Sequence, residues 1–293
     1  MNTTTIPQTT NESNGFDTIR TEDPRLVRVP AITAPTGQPG VLGASFVVAG
    51  RTLRQFWRTP QLIVVGALTS AMFLLIFRYV FGGAIGTGGV GYADYLIPGM
   101  AAASGLFASG AVGVASDIET GLFDRLRSLP IPRSATLIGR SLADTVLVVW
   151  ATSITIVLGV ATGFRPHGSI AESAAAFGLC VLFGAAFTWV FILMGLVSGS
   201  AQAAQGMSFM TFPFIFVSSA YVPVSSMPGW MQPVAEHQPV TMMVGAVRSL
   251  ALGDRADAIL GHSSAWFVVR ALIWTVVIAG VFATLATRKF AKS

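Results

Sequence analysis

Residues 117–133 read DIETGLFDRLRSLPIPR and form the most charged run in the middle of the chain, between two long apolar segments. Apolar residues recur here at helical spacing, which predicts an amphipathic helix over residues 117–129. Pro130 then ends the helix, because proline has no backbone N–H group to donate to the preceding turn. The predicted apolar face consists of Ile118, Leu122, Phe123, Leu126 and Leu129.

One carboxylate interrupts this apolar face, at Glu119. A charge in such a position needs a partner, and we expect a cation or a helix N-terminus on another protein to provide it. The helix therefore has two interpretations. It is either a docking element for a cytoplasmic partner or an amphipathic helix that lies on lipid headgroups.

The composition defines the class of protein. The chain has 293 residues, of which 53% are hydrophobic and only 11% are charged, whereas soluble domains carry roughly a quarter charged residues. This balance predicts an all-α integral membrane protein. In such a protein the net charge of +5 reports topology rather than nucleic-acid binding. The single cysteine, Cys180, excludes an intrachain disulfide.

The beginning of the chain is polar. Residues 1–40 contain little apolar surface to bury and are expected to form a disordered cytoplasmic tail. Residues 45–58 then predict an interfacial helix at the membrane surface, with a plain extension of the first span as the alternative. Its basic face consists of Arg51, Arg54 and Arg58, and its apolar face of Leu53, Phe56 and Trp57.

Six segments are long and apolar enough to be predicted as membrane spans. Thirteen of the 18 Lys and Arg residues fall on one side of the resulting topology. Because basic residues favour the inner side, both termini are predicted to be cytoplasmic in a multi-pass protein of the cell membrane. The predicted spans are about 61–81, 94–116, 138–162, 172–198, 207–222 and 265–287.

Residues 223–250 are too apolar for an ordinary loop, and their prolines forbid one continuous helix. This pattern predicts external re-entrant or interfacial short helices, backed by protein. In the third span, Asp144 follows Arg140 by one helical turn, which predicts an ion pair.

The second predicted span carries a small residue at every fourth position. Small side chains allow close helix packing in membranes, although a lipid-facing stripe would have the same appearance. The small residues are Ala101, Gly105, Ser109 and Gly113.

Several motifs are absent from the sequence. No G-x-x-x-x-G-K-[ST] loop is present, so the chain is not expected to bind ATP or to act as an enzyme. The histidines and carboxylates are not spaced as metal ligands or catalytic groups, so neither site is predicted. No carboxylate or histidine is predicted deep in the membrane, where a proton-driven carrier usually needs one.

Two sequence motifs, taken together, resemble those of a known protein family. The sequence E-x-G-L-F-D-R-L-R-S-L-P-I-P-R follows the second span, and V-P-V-S-S-M-P-G-W-M-Q-P-V-A-E-H-Q-P-V-T follows the fifth. Residues 42–290 thus resemble the ABC-2 type exporter permeases, in particular the daunorubicin-resistance branch of actinobacteria. The resemblance implies a six-helix transmembrane domain in which 117–129 is the coupling helix and 223–250 contains the external re-entrant helices.

The same resemblance implies the function. The chain would be the permease of an ATP-binding-cassette exporter that moves an amphipathic drug, antibiotic or lipid-like molecule outward. ATP and Mg would be bound by a separate ATPase subunit, and a second permease chain, the same or a sister chain, would complete the unit. An ion-driven carrier or a non-transporting membrane scaffold is the alternative. The expected ATPase-coupling residues are Glu119, Leu122, Phe123, Leu126 and Leu129.

Overall fold

The computed structural model of the chain describes residues 41–87, 89–107, 110–122, 133–256 and 259–292. Regular structure in these ranges is helical, without a β-strand, as predicted for an all-α protein. The α-helices of the described residues are α1 (Val41–Trp57), α2 (Pro60–Leu75), α3 (Tyr92–Ala103), α4 (Gly110–Glu119), α5 (Arg133–Ala161), α6 (Ile170–Ser198), α7 (Ala201–Ser208), α8 (Thr211–Phe216), α9 (Gln232–His237), α10 (Pro239–Leu252) and α11 (Ser264–Lys292).

Five helical stretches of the described residues are long and apolar enough to cross a membrane. The first combines α2 with a π-helical turn, Ile76–Phe81, and the second takes in α3, the 3₁₀ turn Ser104–Phe107 and α4. They coincide with five of the six predicted spans. The five stretches are Val64–Phe81, Tyr92–Glu119, Ser134–Ala161, Ile170–Ser198 and Ser264–Lys292.

The segment predicted as one span at 207–222 has a different form. It contains the end of α7 and the short helix α8, which spans six residues. Pro213 lies in α8 and cannot donate a hydrogen bond to the carbonyl of Phe209 one turn earlier. The helix is therefore interrupted at the junction of α7 and α8, and no single long helix forms there.

The start of α6 is set by a capping box. The Ser169 hydroxyl accepts a hydrogen bond from the Glu172 N–H at 3.2 Å, and the Glu172 carboxylate accepts one from the Ser169 N–H at 2.7 Å. These bonds satisfy backbone donors that a helix start leaves unpaired. The helix consequently begins at Ile170, slightly earlier than the predicted span.

Helix α1 packs beside α5, and its contacts run in the same order along both helices. The Ser45 hydroxyl donates to the Ala135 carbonyl at 3.1 Å, and the Trp57 ring meets Trp150 edge-on with centroids 5.6 Å apart. Trp57 of the predicted apolar face at 45–58 thus contacts protein, and Ser45 adds a polar contact to the same neighbouring helix. The predicted tail at 1–40 lies outside the described residues.

The segment 223–250 folds into short helices, as its prolines suggested. Pro233 and Pro239 both lie in the first turn of a helix, where a missing N–H group costs nothing. Almost every side chain of α10 is buried, and the helix packs against α3, α6 and α11. This helix is therefore part of the protein core rather than a surface loop.

Candidate functional site

The charged run at residues 117–133, called the charged motif from here on, begins in the last turn of α4. The helix ends at Glu119, and Gly121 follows with a φ of 66°. Glycine adopts this left-handed conformation easily and commonly terminates helices in this way. The predicted helix at 117–129 is therefore interrupted near its start, and Asp117 and Glu119 belong to the end of α4 instead.

Glu119 has its partner within this chain. Its Oε1 accepts a hydrogen bond from the backbone N–H of Ala201 at 2.9 Å. Ala201 is the first residue of α7, so the carboxylate lies at a helix N-terminus, where negative charge is favourable. The sequence suggested that the partner is a cation or a helix N-terminus on another protein. In the structure it is a helix N-terminus of the same chain.

The other predicted coupling residues extend into a segment that the structure does not describe. Leu122 is half-buried directly after the turn at Gly121. Phe123, Leu126 and Leu129 lie outside the described residues, so their role as a docking surface stays a prediction.

A buried ion-pair cluster links α4 to α5. The Nε atom of Arg140 lies 3.1 Å from Oδ2 of Asp144, and its Nη1 atom lies 3.1 Å from Oδ2 of Asp117. The Arg140–Asp144 pair was predicted from sequence and is confirmed, and Asp117 adds a second carboxylate from another helix. Because Asp144 is only 1% exposed, its charge depends on Arg140 for compensation.

The small residues of the second span have different surroundings. A Cβ atom on Gly105 would lie 2.6 Å from the Cα of Gly184 in α6, so this glycine permits close helix approach. A Cβ atom on Gly113 would instead meet the Arg140 guanidinium, with its Cζ at 2.7 Å. Ala101 is buried, and Ser109 lies outside the described residues. Gly113 thus leaves room for the ion-pair cluster.

A cavity of about 470 Å³ lies among α2, α3, α5 and the α7–α8 pair. The described residues that line it carry no charge and are mainly apolar or aromatic, with several hydroxyl groups. Such a lining suits an apolar molecule with a few hydrogen-bonding groups. The aromatic lining residues are Phe56, Phe73, Trp150, Phe191, Phe209, Phe212 and Tyr221.

A buried arginine, Arg248, was missed by the sequence reasoning. Arg248 is 1% exposed, and it donates to the carbonyls of Tyr95 at 2.9 Å and Ser219 at 3.0 Å. Its guanidinium also lies 3.7 Å from the centre of the Tyr95 ring. No local pattern in the sequence reveals these contacts, which fix α10 to α3.

Comparison with known proteins gives three informative relatives. The chain is 28% identical to the daunorubicin resistance ABC transporter permease protein DrrB1 of Streptomyces coeruleorubidus, over 98% of this chain and 96% of the relative. It is 29% identical to the probable doxorubicin resistance ABC transporter permease protein DrrC of Mycobacterium tuberculosis, over 75% and 83%. A putative transport permease, ycf38 of Pyropia yezoensis, is 23% identical over 68% and 71%.

The family match covers both sequence motifs, the ion-pair cluster and the residues that line the cavity. Residues 44–252 match the ABC-2 type transporter family, which is more than half of the 293 residues. The match begins in α1 and ends with α10, so it includes four of the five membrane-length stretches. The chain is therefore a multi-pass membrane protein that belongs to the ABC-2 type transporter family.

Proposed function

We propose that this chain is the membrane-spanning permease of an exporter powered by a separate ATP-binding subunit. Its cargo would be an amphipathic drug, antibiotic or lipid-like molecule. The observation that carries the proposal is the match to a daunorubicin resistance permease over 98% of this chain. The uncharged, aromatic cavity beside α2 supports it, because such a lining suits an apolar cargo.

The proposed topology has six spans with both termini in the cytoplasm. The predicted fifth span at 207–222 contains the end of α7 and the whole of α8, and broken helices are tolerated at membrane depth where protein backs them or where they line a cavity. We propose that this interrupted segment forms the fifth span. The distribution of Lys and Arg residues supports the cytoplasmic placement of both ends.

The proposed partners are an ATPase subunit and a second permease chain. ATP and Mg²⁺ would bind to the ATPase, and the segment that begins at α4 and contains the apolar residues up to Leu129 would dock into it. Exposed apolar side chains on α2, such as Val65 and Leu68 at 60% and 63%, leave a surface that suits lipid or a second permease chain.

Transport in inverted membrane vesicles tests the proposal. The chain and its ATPase would be co-expressed, with copurification tested through a tag on the permease, and daunorubicin would be added outside the inverted vesicles as the probe. We expect the ATPase to copurify and ATP to drive daunorubicin accumulation. An ATPase variant with its nucleotide-binding lysine replaced by alanine is the control and should abolish accumulation.

The alternatives give different results in the same vesicles. Accumulation that follows an imposed proton or sodium gradient without ATP would indicate an ion-driven carrier. A scaffold would show no accumulation under either condition. Either result would contradict the proposed function.

A further inference from the structure

A hydrogen bond outside the ion-pair cluster joins the end of α4 to the start of α7. Oε1 of Glu119 accepts from the Ala201 N–H at 2.9 Å. The Ser200 hydroxyl accepts from the Ala203 N–H at 3.1 Å at the same helix end. Two of the backbone donors at this N-terminus are thus satisfied by different side chains, one local and one from α4.

The packing of α7 against α4 uses small side chains. Ala204 is fully buried in α7 and belongs to a cluster with Ala111 and Ala115 of α4 and Phe191 of α6. Small side chains let the two helices approach closely. The directional, charge-assisted bond of Glu119 adds a fixed point to this interface.

Helix α7 and its continuation form one wall of the cavity. Gln205 and Ser208 of α7 and Phe212 of α8 all line it. Movement of α7 relative to α4 therefore changes the cavity wall directly.

The second carboxylate of the same turn faces a different helix. Residues 117 and 119 are separated by about 200° around a helix. Asp117 binds Arg140 of α5 at 3.1 Å, whereas Glu119 reaches α7. The end of α4 is thus anchored on both sides, directly before the turn at Gly121 and the remainder of the charged motif.

We infer that Glu119 is a positioning residue that ties the charged motif to α7 and so transmits movement of the motif to the wall of the cavity. This inference rests on the proposed function for the origin of the movement. The bond itself is a property of the permease alone. Glu119 then acts within the chain, and the ATPase is bound by the residues that follow it.

Amide hydrogen exchange of the purified permease tests the bond without any partner. In Glu119→Ala, the Ala201 amide should exchange about tenfold faster than in the wild type, because it loses a charged acceptor. Glu119→Gln should restore part of the protection. Ser200→Ala is the matched control and should affect Ala203 instead. An unchanged Ala201 exchange rate in Glu119→Ala would overturn the inference.

Distance measurements in the permease–ATPase complex test transmission. Spin labels at Gln205 and Leu147 would report the separation of α7 and α5 across the cavity, with and without ATP. The ATP-dependent shift should be present in the Ser200→Ala background and lost in Glu119→Ala, together with most transport per ATP hydrolysed. A shift that persists in Glu119→Ala would refute the role of Glu119.

The two proposals fail in different ways. If no ATPase copurifies with the wild-type permease, the proposed function is wrong, while the exchange experiment still decides whether Glu119 holds α7. If Glu119→Ala releases the ATPase and leaves Ala201 protected, Glu119 is a direct docking residue and the inference is wrong.

Discussion

The Nη1 atom of Arg140 lies 3.1 Å from Oδ2 of Asp117, across 23 positions of sequence. This bond joins α5 to the last turn of α4 at the point where the charged motif begins. Because Arg140 also holds the buried Asp144, one guanidinium compensates two carboxylates from two helices. The cluster fixes the C-terminal end of α4, from which the rest of the charged motif continues.

We predict that Arg140→Ala destabilises the permease strongly. Removal of one partner of a buried ion pair typically costs about 3–5 kcal/mol, because the remaining charge stays buried without compensation. Thermal unfolding in detergent and the yield of monodisperse protein would measure the loss. Arg165→Ala is the control, since Arg165 is exposed and, among the described residues, donates to the nearby carbonyls of Val160 and Phe164. Equal stability of the two variants would contradict the prediction.

A second prediction concerns the approach of α6 to the 3₁₀ turn that contains Gly105. Gly105→Leu should reduce folding and assembly, because the new side chain would collide with the backbone of Gly184. Overpacking of this kind costs about 1–3 kcal/mol or more. Gly178→Leu is a matched control in α6, since nothing lies within 4 Å of a Cβ atom there. Size-exclusion profiles and thermal unfolding would compare the two. A wild-type size-exclusion profile and unfolding temperature for Gly105→Leu would show that close packing of Gly105 against Gly184 is not required.

Sequence patterns predicted the long helices and missed the tertiary contacts. Length and apolar content are local properties, so five of the six predicted spans appear as membrane-length stretches. The Arg140–Asp144 pair could also be predicted from sequence, because residues four apart share one helix face. The partner of Glu119 lies 82 positions away, and Arg248 is held by two distant carbonyls. No spacing rule identifies such partners.

The interruption of the predicted helix at 117–129 did have a sequence signal. Gly121 lies two residues after Glu119, and glycine is common just beyond a helix end. The apolar periodicity on both sides outweighed this signal in the prediction. The division of the predicted fifth span likewise follows from Pro213, which a count of apolar residues ignores.

The proposed topology makes a third prediction. Trp230 is 76% exposed, and a cysteine there should react with a membrane-impermeant maleimide added outside intact cells. The background would be Cys180→Ala, which removes the buried native thiol. A cysteine in place of Ser293 is the control and should react only after the cells are opened. Labelling of residue 230 from the inside alone would contradict a six-span topology with cytoplasmic ends.

The central claim is that the charged motif connects this permease to an ATPase, and Leu126→Asp tests it most directly. A charge placed in an apolar contact is costly, so the variant should insert normally, lose the ATPase in a pull-down and lose ATP-driven daunorubicin accumulation. Ser128→Ala should retain both ATPase binding and ATP-driven daunorubicin accumulation. If Leu126→Asp keeps its ATPase and transports at the wild-type rate, the motif is not the docking element and the account of coupling is wrong.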